Sequence, residues 1–376
     1  MTDTDTTPAS DSTNRTDTET VLISSLEAST GKTAIAIALA RLSRESDDSD
    51  RAVGYMKPRG TRLESNVGKT LDEDPFLARE LLGFEAEIHD MEPIVYSPTF
   101  IEQVIRGREE PDELRERVQE AYETLASECD RLFVEGGGNL DVGGIIDLTD
   151  ADVADLLDAR VLLVATYESP GDLDRITTAA RTFGDRLAGV VFNNVSEAAY
   201  DELETDVVPF LDGRGISTYG ILPREQTLAG VTVEELADEL GATTLVGDDS
   251  DSYVERFTVG AMGAESALSH FRRTKNAAVI TGGDRSEIHT AALEAPGVRC
   301  LVLTGGHRPP GAILGQATEQ GLPVLSVQTD TLTTVERAED IVQSGRTRSR
   351  QTVEEMESLL TEYADVDRIL ETAFAD

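Results

Sequence analysis

A stretch of nine residues from Ser25 to Thr33 carries the clearest chemical signal in the sequence. It reads Ser-Leu-Glu-Ala-Ser-Thr-Gly-Lys-Thr, follows an apolar run typical of a buried strand, and precedes a run with helical periodicity. Backbone N–H groups of such a loop, together with the N-terminus of the helix, bind phosphate oxygens. Lys32 would neutralise the terminal phosphates of a nucleotide, and the Thr33 hydroxyl would join a Mg²⁺ coordination shell. The sequence therefore predicts a loop that binds a nucleoside triphosphate with Mg²⁺.

The match to the strict pattern for such loops is incomplete. The pattern places glycine at position 26, where this chain has Leu26. Gly68-Lys69-Thr70 repeats the last three residues of the motif without a preceding strand. The alternative interpretation is therefore an ordinary strand-to-helix turn with a lysine on the surface.

Charged residues also follow two other predicted strands. Glu135 comes directly after Leu132–Val134 and precedes three glycines. A carboxylate at the carboxyl end of a strand can reach a metal beside the phosphate loop, and glycines let the backbone approach a ligand closely. Lys57 follows a third strand, in a chain where only four of 33 basic residues are lysine. The alternative for Glu135 is an acidic surface loop. The alternative for Lys57 is a lysine at the edge of a helix, whose stem packs on apolar surface while its ammonium reaches solvent.

Apolar runs that alternate with amphipathic segments must position these residues. This pattern predicts a parallel sheet covered by helices on both faces. The predicted strands are 21–23, 52–56, 131–134, 161–166, 189–192 and 218–222, and the predicted helices are 34–42, 75–82 and 110–125.

A second pattern begins near residue 226 and predicts a smaller α/β domain of the doubly wound type. The predicted helices are 233–240 and 253–270, and the predicted strands are 277–281, 299–304 and 324–327. From Thr352 onward the apolar residues fall mostly on one helical face, which predicts a packing helix. The predicted divisions are a disordered tail (1–18), a nucleotide-binding domain (19–225), a second domain (226–345) and a C-terminal helix (346–376).

The first domain resembles dethiobiotin synthetase and its relatives. Lys57-Pro58, Asp74, Val134-Glu135-Gly136, and then Asn193 or Asn194 follow the phosphate loop in that family's order. Over roughly residues 20 to 345, the architecture resembles the N-terminal region of long phosphotransacetylases, where a DRTGG domain follows. The resemblance implies a P-loop NTPase-type parallel sheet. Since no segment corresponding to the phosphotransacetylase catalytic domain follows the second domain, we expect the chain to make no acetyl phosphate by itself.

The resemblance also implies roles for individual residues. Lys32 and Lys57 would act on the transferred phosphate, with Lys57 beside it or beside an acidic substrate. Mg²⁺ would be bound by Thr33, Asp74 and Glu135. ATP would be bound by Glu27, Ser29, Thr30, Gly31, Lys32, Thr33, Asn193, Asn194 and Pro223. Turn chemistry is the alternative role for the two asparagines, and Ser25 departs from the family, which has glycine there.

Two glycine-rich turns of the second domain predict a site for an anionic metabolite. Each turn follows a predicted strand, and N–H groups in such turns can form a concave anion site at the start of a helix. The candidate residues are Gly282, Gly283, Arg285, Gly305, Gly306 and Arg308. The alternative is that the glycines simply close tight turns.

Composition restricts the partners. The net charge of −39 and a pI near 4.3 would repel nucleic acid and anionic membranes. With 39% hydrophobic residues, the chain is expected to fold with an acidic, hydrated surface like that of halophile proteins. No signal peptide or long apolar run occurs, so a cytoplasmic location is predicted. The helical tail and the resemblance favour a homo-oligomer.

Three functions stay open at this point. The first is a regulatory or sensor protein that binds Mg²⁺–ATP in one domain and a small metabolite in the other. The second is an ATP-dependent ligase or carboxylase that phosphorylates a carboxylate or carbamate near Lys57. The third is a scaffold that binds no nucleotide.

Overall fold

The computed structural model describes residues 18–45, 51–60, 63–66, 69–225, 228, 230–247, 252–345 and 350–374. Apart from Thr18, the predicted tail lies outside the described residues. Within these ranges, no helix is long and apolar enough to cross a membrane.

The described strands of the first domain are β1 (Glu19–Ser25), β2 (Val53–Met56), β3 (Arg59–Gly60), β4 (Leu63–Asn66), β5 (Lys69–Asp72), β6 (Ile94–Val95), β7 (Arg131–Glu135), β8 (Arg160–Ala165), β9 (Leu187–Val195) and β10 (Thr218–Pro223). Six of them form one parallel sheet with the order β10-β9-β8-β1-β7-β2. The helices are α1 (Lys32–Glu45), α2 (Asp74–Leu82), α3 (Ile88–Met91), α4 (Pro98–Ile105), α5 (Pro111–Ala126), α6 (Asp150–Leu156), α7 (Asp172–Phe183), α8 (Glu197–Glu202) and α9 (Val208–Asp212). Two short pairs, β3–β6 and β4–β5, stand apart from the main sheet.

The central strand β1 explains why the candidate residues meet. It pairs with β7 on one side and β8 on the other, and its apolar residues are fully buried. Since parallel strands end at the same edge of a sheet, the loops after β1, β2 and β7 lie side by side. This arrangement brings the segments that carry Lys32, Lys57 and Glu135 to one edge. The predicted α/β class with a P-loop-type parallel sheet is confirmed.

The described strands of the second domain are β11 (Val231–Thr232), β12 (Thr243–Val246), β13 (Tyr253–Val254), β14 (Arg256–Val259), β15 (Ala277–Gly282), β16 (Val298–Thr304) and β17 (Val324–Ser326). Five of them form a sheet with the order β12-β17-β16-β15-β14, and β11 pairs with β13. Its helices are α10 (Val233–Leu240), α11 (Ala264–Phe271), α12 (Ser286–Leu293), α13 (Gly311–Gln320) and α14 (Thr331–Gly345). Strands β14 to β17 follow chain order without a reversal, so the sheet is wound in one direction and is not doubly wound as predicted.

The predicted helix over 253–270 is wrong. This segment forms β13, β14 and the short helix α11. Gly260 and Gly263 weaken a continuous helix, and β14 gains a parallel partner in β15. Pairing with a distant strand therefore decides the structure of this segment, which a local periodicity cannot reveal.

The C-terminal segment forms two helices instead of one, α15 (Arg350–Tyr363) and α16 (Val366–Ala373). Both pack on the first domain: Met356 and Leu360 belong to its hydrophobic core. The ring of Phe374 lies 5.5 Å from that of Phe133 in β7, and the Asp365 N–H donates to the Tyr219 carbonyl in β10 at 2.7 Å. The second domain is therefore inserted in sequence between two parts of the first.

Candidate nucleotide site

The loop between β1 and α1 is held in shape by Asn193 of β9. The Asn193 side-chain amide donates to the Thr30 carbonyl at 2.8 Å. Gly31 has a left-handed φ of +87°, and a Cβ at this position would lie only 2.6 Å from Asn193 Nδ2. Glycine is therefore required at position 31 both by its backbone angle and by the close approach of Asn193.

Ser25 has a specific role where the resemblance would place glycine. Its hydroxyl accepts a hydrogen bond from Lys32 Nζ at 2.7 Å and donates to the Glu27 carbonyl at 2.6 Å. The Glu27 side chain is half-exposed and forms an ion pair with Arg175 of α7. Ser29 is also exposed and has a left-handed φ of 57°. Glu27 and Ser29 thus lie on the outer side of the loop, whereas Lys32 is buried.

The side chains of the three residues predicted to bind Mg²⁺ contact one another at the start of α1. The Thr33 hydroxyl donates to Glu135 Oε1 at 3.0 Å and lies 3.3 Å from Asp74 Oδ2. All three side chains are buried and come from different elements, α1, α2 and β7. An all-oxygen set with two carboxylates is the donor chemistry that Mg²⁺ prefers.

Lys57 lies against the same carboxylates. Its ammonium is 2.6 Å from Asp72 Oδ2, contacts Asp74, and is 3.6 Å from Glu135 Oε1. Burial lowers the pKa of Lys57, but the charges of Asp74, Glu135 and Asp72 outweigh that effect and hold its pKa above the usual value. Burial raises the pKa of Asp72 to about 6 even though Lys57 opposes the change. The Lys57 ammonium therefore lies among three buried carboxylates.

Tyr55 and Glu92 extend this cluster and were not predicted. The Tyr55 hydroxyl donates to Glu135 Oε2 at 2.5 Å, and burial raises the pKa of Tyr55 well above its usual value. Burial, and then the charge of Asp72, raise the pKa of Glu92 to about 8, so that Glu92 is mainly protonated at neutral pH. Tyr55 could have been found by strand alternation, since it stands two residues before Lys57. Nothing local marks Glu92.

A buried arginine orders the loop that follows Glu135. Arg59 is 1% exposed and donates to Asp150 and to two backbone carbonyls of that loop. Asp150 also accepts from the Ser24 hydroxyl at 2.5 Å and from the Gly137 N–H at 2.8 Å. This network, also unpredicted, ties the glycines after β7 to the end of β1, directly before the phosphate loop.

The residues predicted to contact the base lie at the ends of β9 and β10. Asn193 is buried against the loop, whereas Asn194 is exposed and has a left-handed φ of 59°. Pro223 is half-buried at the end of β10. The structure thus separates the two asparagines: Asn193 orders the phosphate loop, and Asn194 faces solvent at the strand end.

The predicted anion site of the second domain is less open than its sequence suggests. The amides of Gly283, Gly305 and Gly306 all donate to backbone carbonyls of the same domain, at 2.9 to 3.1 Å. The Arg285 guanidinium donates to two carbonyls of the loop after β14. Arg308 is exposed. Of the six candidate residues, Arg308 therefore offers the exposed charge. Gly305 and Gly306 have the left-handed φ angles of tight turns, 79° and 67°.

Comparison with known proteins places this site in a family. Residues 19–232 match the AAA domain family AAA_26, and residues 235–341 match the DRTGG domain. The chain belongs to the AAA_26 family.

The chain is also similar to curated phosphate acetyltransferases. That of Pseudomonas putida is 27% identical over 331 residues, covering 83% of this chain and 46% of the relative. That of Nitratidesulfovibrio vulgaris is 24% identical over 339 residues, covering 85% and 46%. The chain spans about half the length of these relatives. The predicted resemblance to the N-terminal region of phosphotransacetylases with a DRTGG domain is confirmed.

Two solved structures show a weaker likeness. The CBS and DRTGG domains of the regulatory region of Clostridium perfringens pyrophosphatase, complexed with the activator diadenosine tetraphosphate, give a TM-score of 0.29 at 20% identity, covering 41% of this chain and 80% of that one. A ParA family ATPase from Chlorobium tepidum gives 0.35 at 20% identity, covering 57% and 86%. Scores this low support no functional argument.

Proposed function

We propose that the first domain binds ATP with Mg²⁺, and that the protein is a nucleotide-responsive regulator related to the N-terminal region of phosphotransacetylase. One observation carries the proposal: Thr33, Asp74 and Glu135 meet within hydrogen-bonding distance at the start of α1, beside the buried Lys32. The membership of residues 19–232 in the AAA_26 family supports it. The relation of the chain to phosphate acetyltransferases supports a role near acetyl-phosphate or acetyl-CoA metabolism.

Different residues would bind the phosphates, the Mg²⁺ ion and the base of ATP. Loop amides at the N-terminus of α1 and the Lys32 ammonium would hold the phosphates. Thr33, Asp74 and Glu135 would hold Mg²⁺, directly or through water, and the ion would neutralise phosphate charge. Asp74 and Glu135 lie together beside Lys57 and provide the carboxylate oxygens that a divalent cation prefers. Asn194 and Pro223 would contact the base.

Calorimetric titration of Mg²⁺–ATP tests this proposal. The wild-type protein and two variants, Lys32→Ala and Lys275→Ala, are titrated in high-potassium buffer. Lys275 is exposed in the second domain and serves as the control. We expect binding to be lost in Lys32→Ala and retained in Lys275→Ala. If a folded wild-type protein binds no ATP, or if Lys32→Ala binds equally well, the proposal fails and the scaffold function is favoured.

A second candidate function is an ATP-dependent ligase or carboxylase. It is favoured by Lys57, whose ammonium lies beside two of the proposed metal ligands and could approach a phosphorylated acid. ADP release that depends on an added carboxylate substrate would select this function. ATP binding without such release would select regulation. Neither domain is expected to transfer acetyl groups, and an assay with acetyl-CoA and phosphate tests this.

The second domain is proposed to bind a small anionic metabolite through Arg308, which lies next to the Gly305-Gly306 turn. Binding of acetyl phosphate and acetyl-CoA to wild type, Arg308→Ala and Arg285→Ala is the test. Because Arg285 is tied to backbone carbonyls, Arg308→Ala should lose more affinity. Unchanged binding in both variants would contradict the proposal. We further propose a cytoplasmic location and a homo-oligomer, to be checked by cell fractionation and light scattering, with neither nucleic acid nor membrane as a partner.

A further inference from the structure

An ion pair joins the two domains at the carboxyl end of β10. Arg224 directly follows Pro223, and its backbone N–H donates to the Val195 carbonyl at the end of β9, at 2.9 Å. Its guanidinium pairs with Glu255, which lies between β13 and β14 of the second domain. Arg224 thus reaches from the edge of the first sheet to the second.

Glu255 is also fixed within the second domain. Its Oε1 accepts from the Asn276 side-chain amide at 2.6 Å, and its backbone N–H donates to the Asn276 carbonyl at 2.9 Å. Asn276 has a left-handed φ of 49° and stands directly before β15. The Glu255 side chain is only 5% exposed. One buried carboxylate therefore connects the end of β10 with the start of β15.

This ion pair responds to movement of Arg224 because the Glu255 carboxylate is buried. Separating a buried carboxylate from a charged partner costs free energy, so a movement of Arg224 acts directly on Glu255. Val195 ends β9 and Arg224 directly follows β10, the two strands that carry Asn194 and Pro223, the residues proposed to contact the base. An ordering of these strand ends therefore acts directly on Arg224, whose N–H bonds to the Val195 carbonyl.

We infer that the Arg224–Glu255 ion pair couples nucleotide binding in the first domain to the second domain. The inference rests on the proposed ATP site. Nucleotide binding orders the ends of β9 and β10, and the ion pair passes this ordering to β14 and the Asn276 turn. By linkage, a ligand that orders the second domain then favours nucleotide binding by the same factor.

A second route between the domains runs through α15 and provides the competing explanation. Helix α15 follows the last helix of the second domain and packs on α1, where Arg41 pairs with Glu357 at 2.5 Å. The Met356 methyl lies 3.8 Å from where a Cβ on Gly31 would be. If the coupling ran through α15, Glu357→Gln would weaken it and changes at Arg224 would not.

Hydrogen–deuterium exchange of the full chain, with and without saturating Mg²⁺–ATP, tests the inference. In wild type, ATP should slow exchange in the phosphate loop and also in β14 and around Asn276. Arg224→Ala and Glu255→Gln should keep the slowing in the phosphate loop and lose it in the second domain. Arg224→Lys, which keeps the charge, should restore part of it. Arg299→Ala is the matched control, because Arg299 donates to Asn276 Oδ1 at 3.2 Å from an exposed position, and it should behave like wild type.

The outcomes separate this inference from the proposed function. If Mg²⁺–ATP does not slow exchange in the phosphate loop of the wild-type protein, both the ATP site and the coupling are refuted. Slowed exchange in the phosphate loop alone would leave the ATP site standing and overturn the coupling. Second-domain slowing that persists in Arg224→Ala and Glu255→Gln but is lost in Glu357→Gln would assign the coupling to α15 and overturn the role of the ion pair.

Discussion

Replacing Lys57 by methionine should destabilise the first domain strongly. Methionine keeps most of the side-chain volume but removes the ammonium that faces Asp72, Asp74 and Glu135. Removing one partner from a buried ion pair costs about 3–5 kcal/mol, since the remaining charge stays buried. For a domain of this size each kcal/mol shifts the melting temperature by about 2–4 °C. We therefore expect Lys57→Met to lower the melting temperature by about 6–20 °C at pH 8 without Mg²⁺.

Two conditions should reduce this loss. Because the pKa of Asp72 is raised to about 6, protonation at pH 5 relieves part of the carboxylate repulsion, so the difference between variant and wild type should shrink there. Added Mg²⁺ supplies a replacement cation and should raise the melting temperature of the variant more than that of wild type.

Thermal unfolding followed by circular dichroism in high-potassium buffer measures these effects. Lys275→Met is the control: Lys275 is exposed, and such a change should stay within about 0.5 kcal/mol of wild type. If Lys57→Met and Lys275→Met have the same melting temperature at pH 8, the Lys57 ammonium does not compensate the buried carboxylates, and this prediction is refuted.

Two further predictions concern the same region. Gly31→Ala should lower the free energy of unfolding by about 1–2 kcal/mol because of its left-handed backbone. It should lose about 1 kcal/mol more because the new Cβ would displace the hydrogen bond from Asn193 to the Thr30 carbonyl. Gly83→Ala, which has φ +60° but nothing within 4 Å of the new Cβ, should show only the backbone cost in urea unfolding, and equal losses in the two variants would contradict the role of Asn193. Glu92→Gln should flatten the pH dependence of stability: the folded state holds the Glu92 proton more tightly than the unfolded state, so wild type loses stability as pH rises from about 4.5 to about 8. The variant should therefore melt higher than wild type at pH 8.5 and like it at pH 4, and parallel melting curves across this range would refute the prediction.

The first domain was largely predictable because its signals are local. Buried parallel strands appear in the sequence as apolar runs, and the residues at their carboxyl ends must meet at one edge of the sheet. For this reason Thr33, Asp74 and Glu135 could be grouped before the structure was known, although their binding roles stay a proposal. The choice between Asn193 and Asn194 needed the structure, since both stand at the end of the same strand.

The parts that could not be predicted depend on distant partners. Arg59 and Asp150 are 91 residues apart in sequence, and no local pattern links a buried arginine to a particular carboxylate. Residues 253–270 have enough apolar side chains to suggest a helix, yet β14 is a strand because β15 lies beside it. The domain on which α15 and α16 pack could not be predicted either, because an amphipathic face shows that a helix packs but not on which domain.

The insertion of the second domain has a consequence for how the chain matures on the ribosome. Leu360, Ile369 and the Phe374 ring pack into the first domain, but they are translated only after the entire second domain. Until then, a nascent chain with all strands of the first sheet still exposes the apolar surface that α15 and α16 will cover, on α1 and along β10. Domains generally fold in order as they emerge, so the second domain must fold beside an unfinished neighbour. The contacts of α15 with α1 and with Gly31 of the phosphate loop therefore form only after the second domain has been synthesised, although α1 and the loop are among the first segments made.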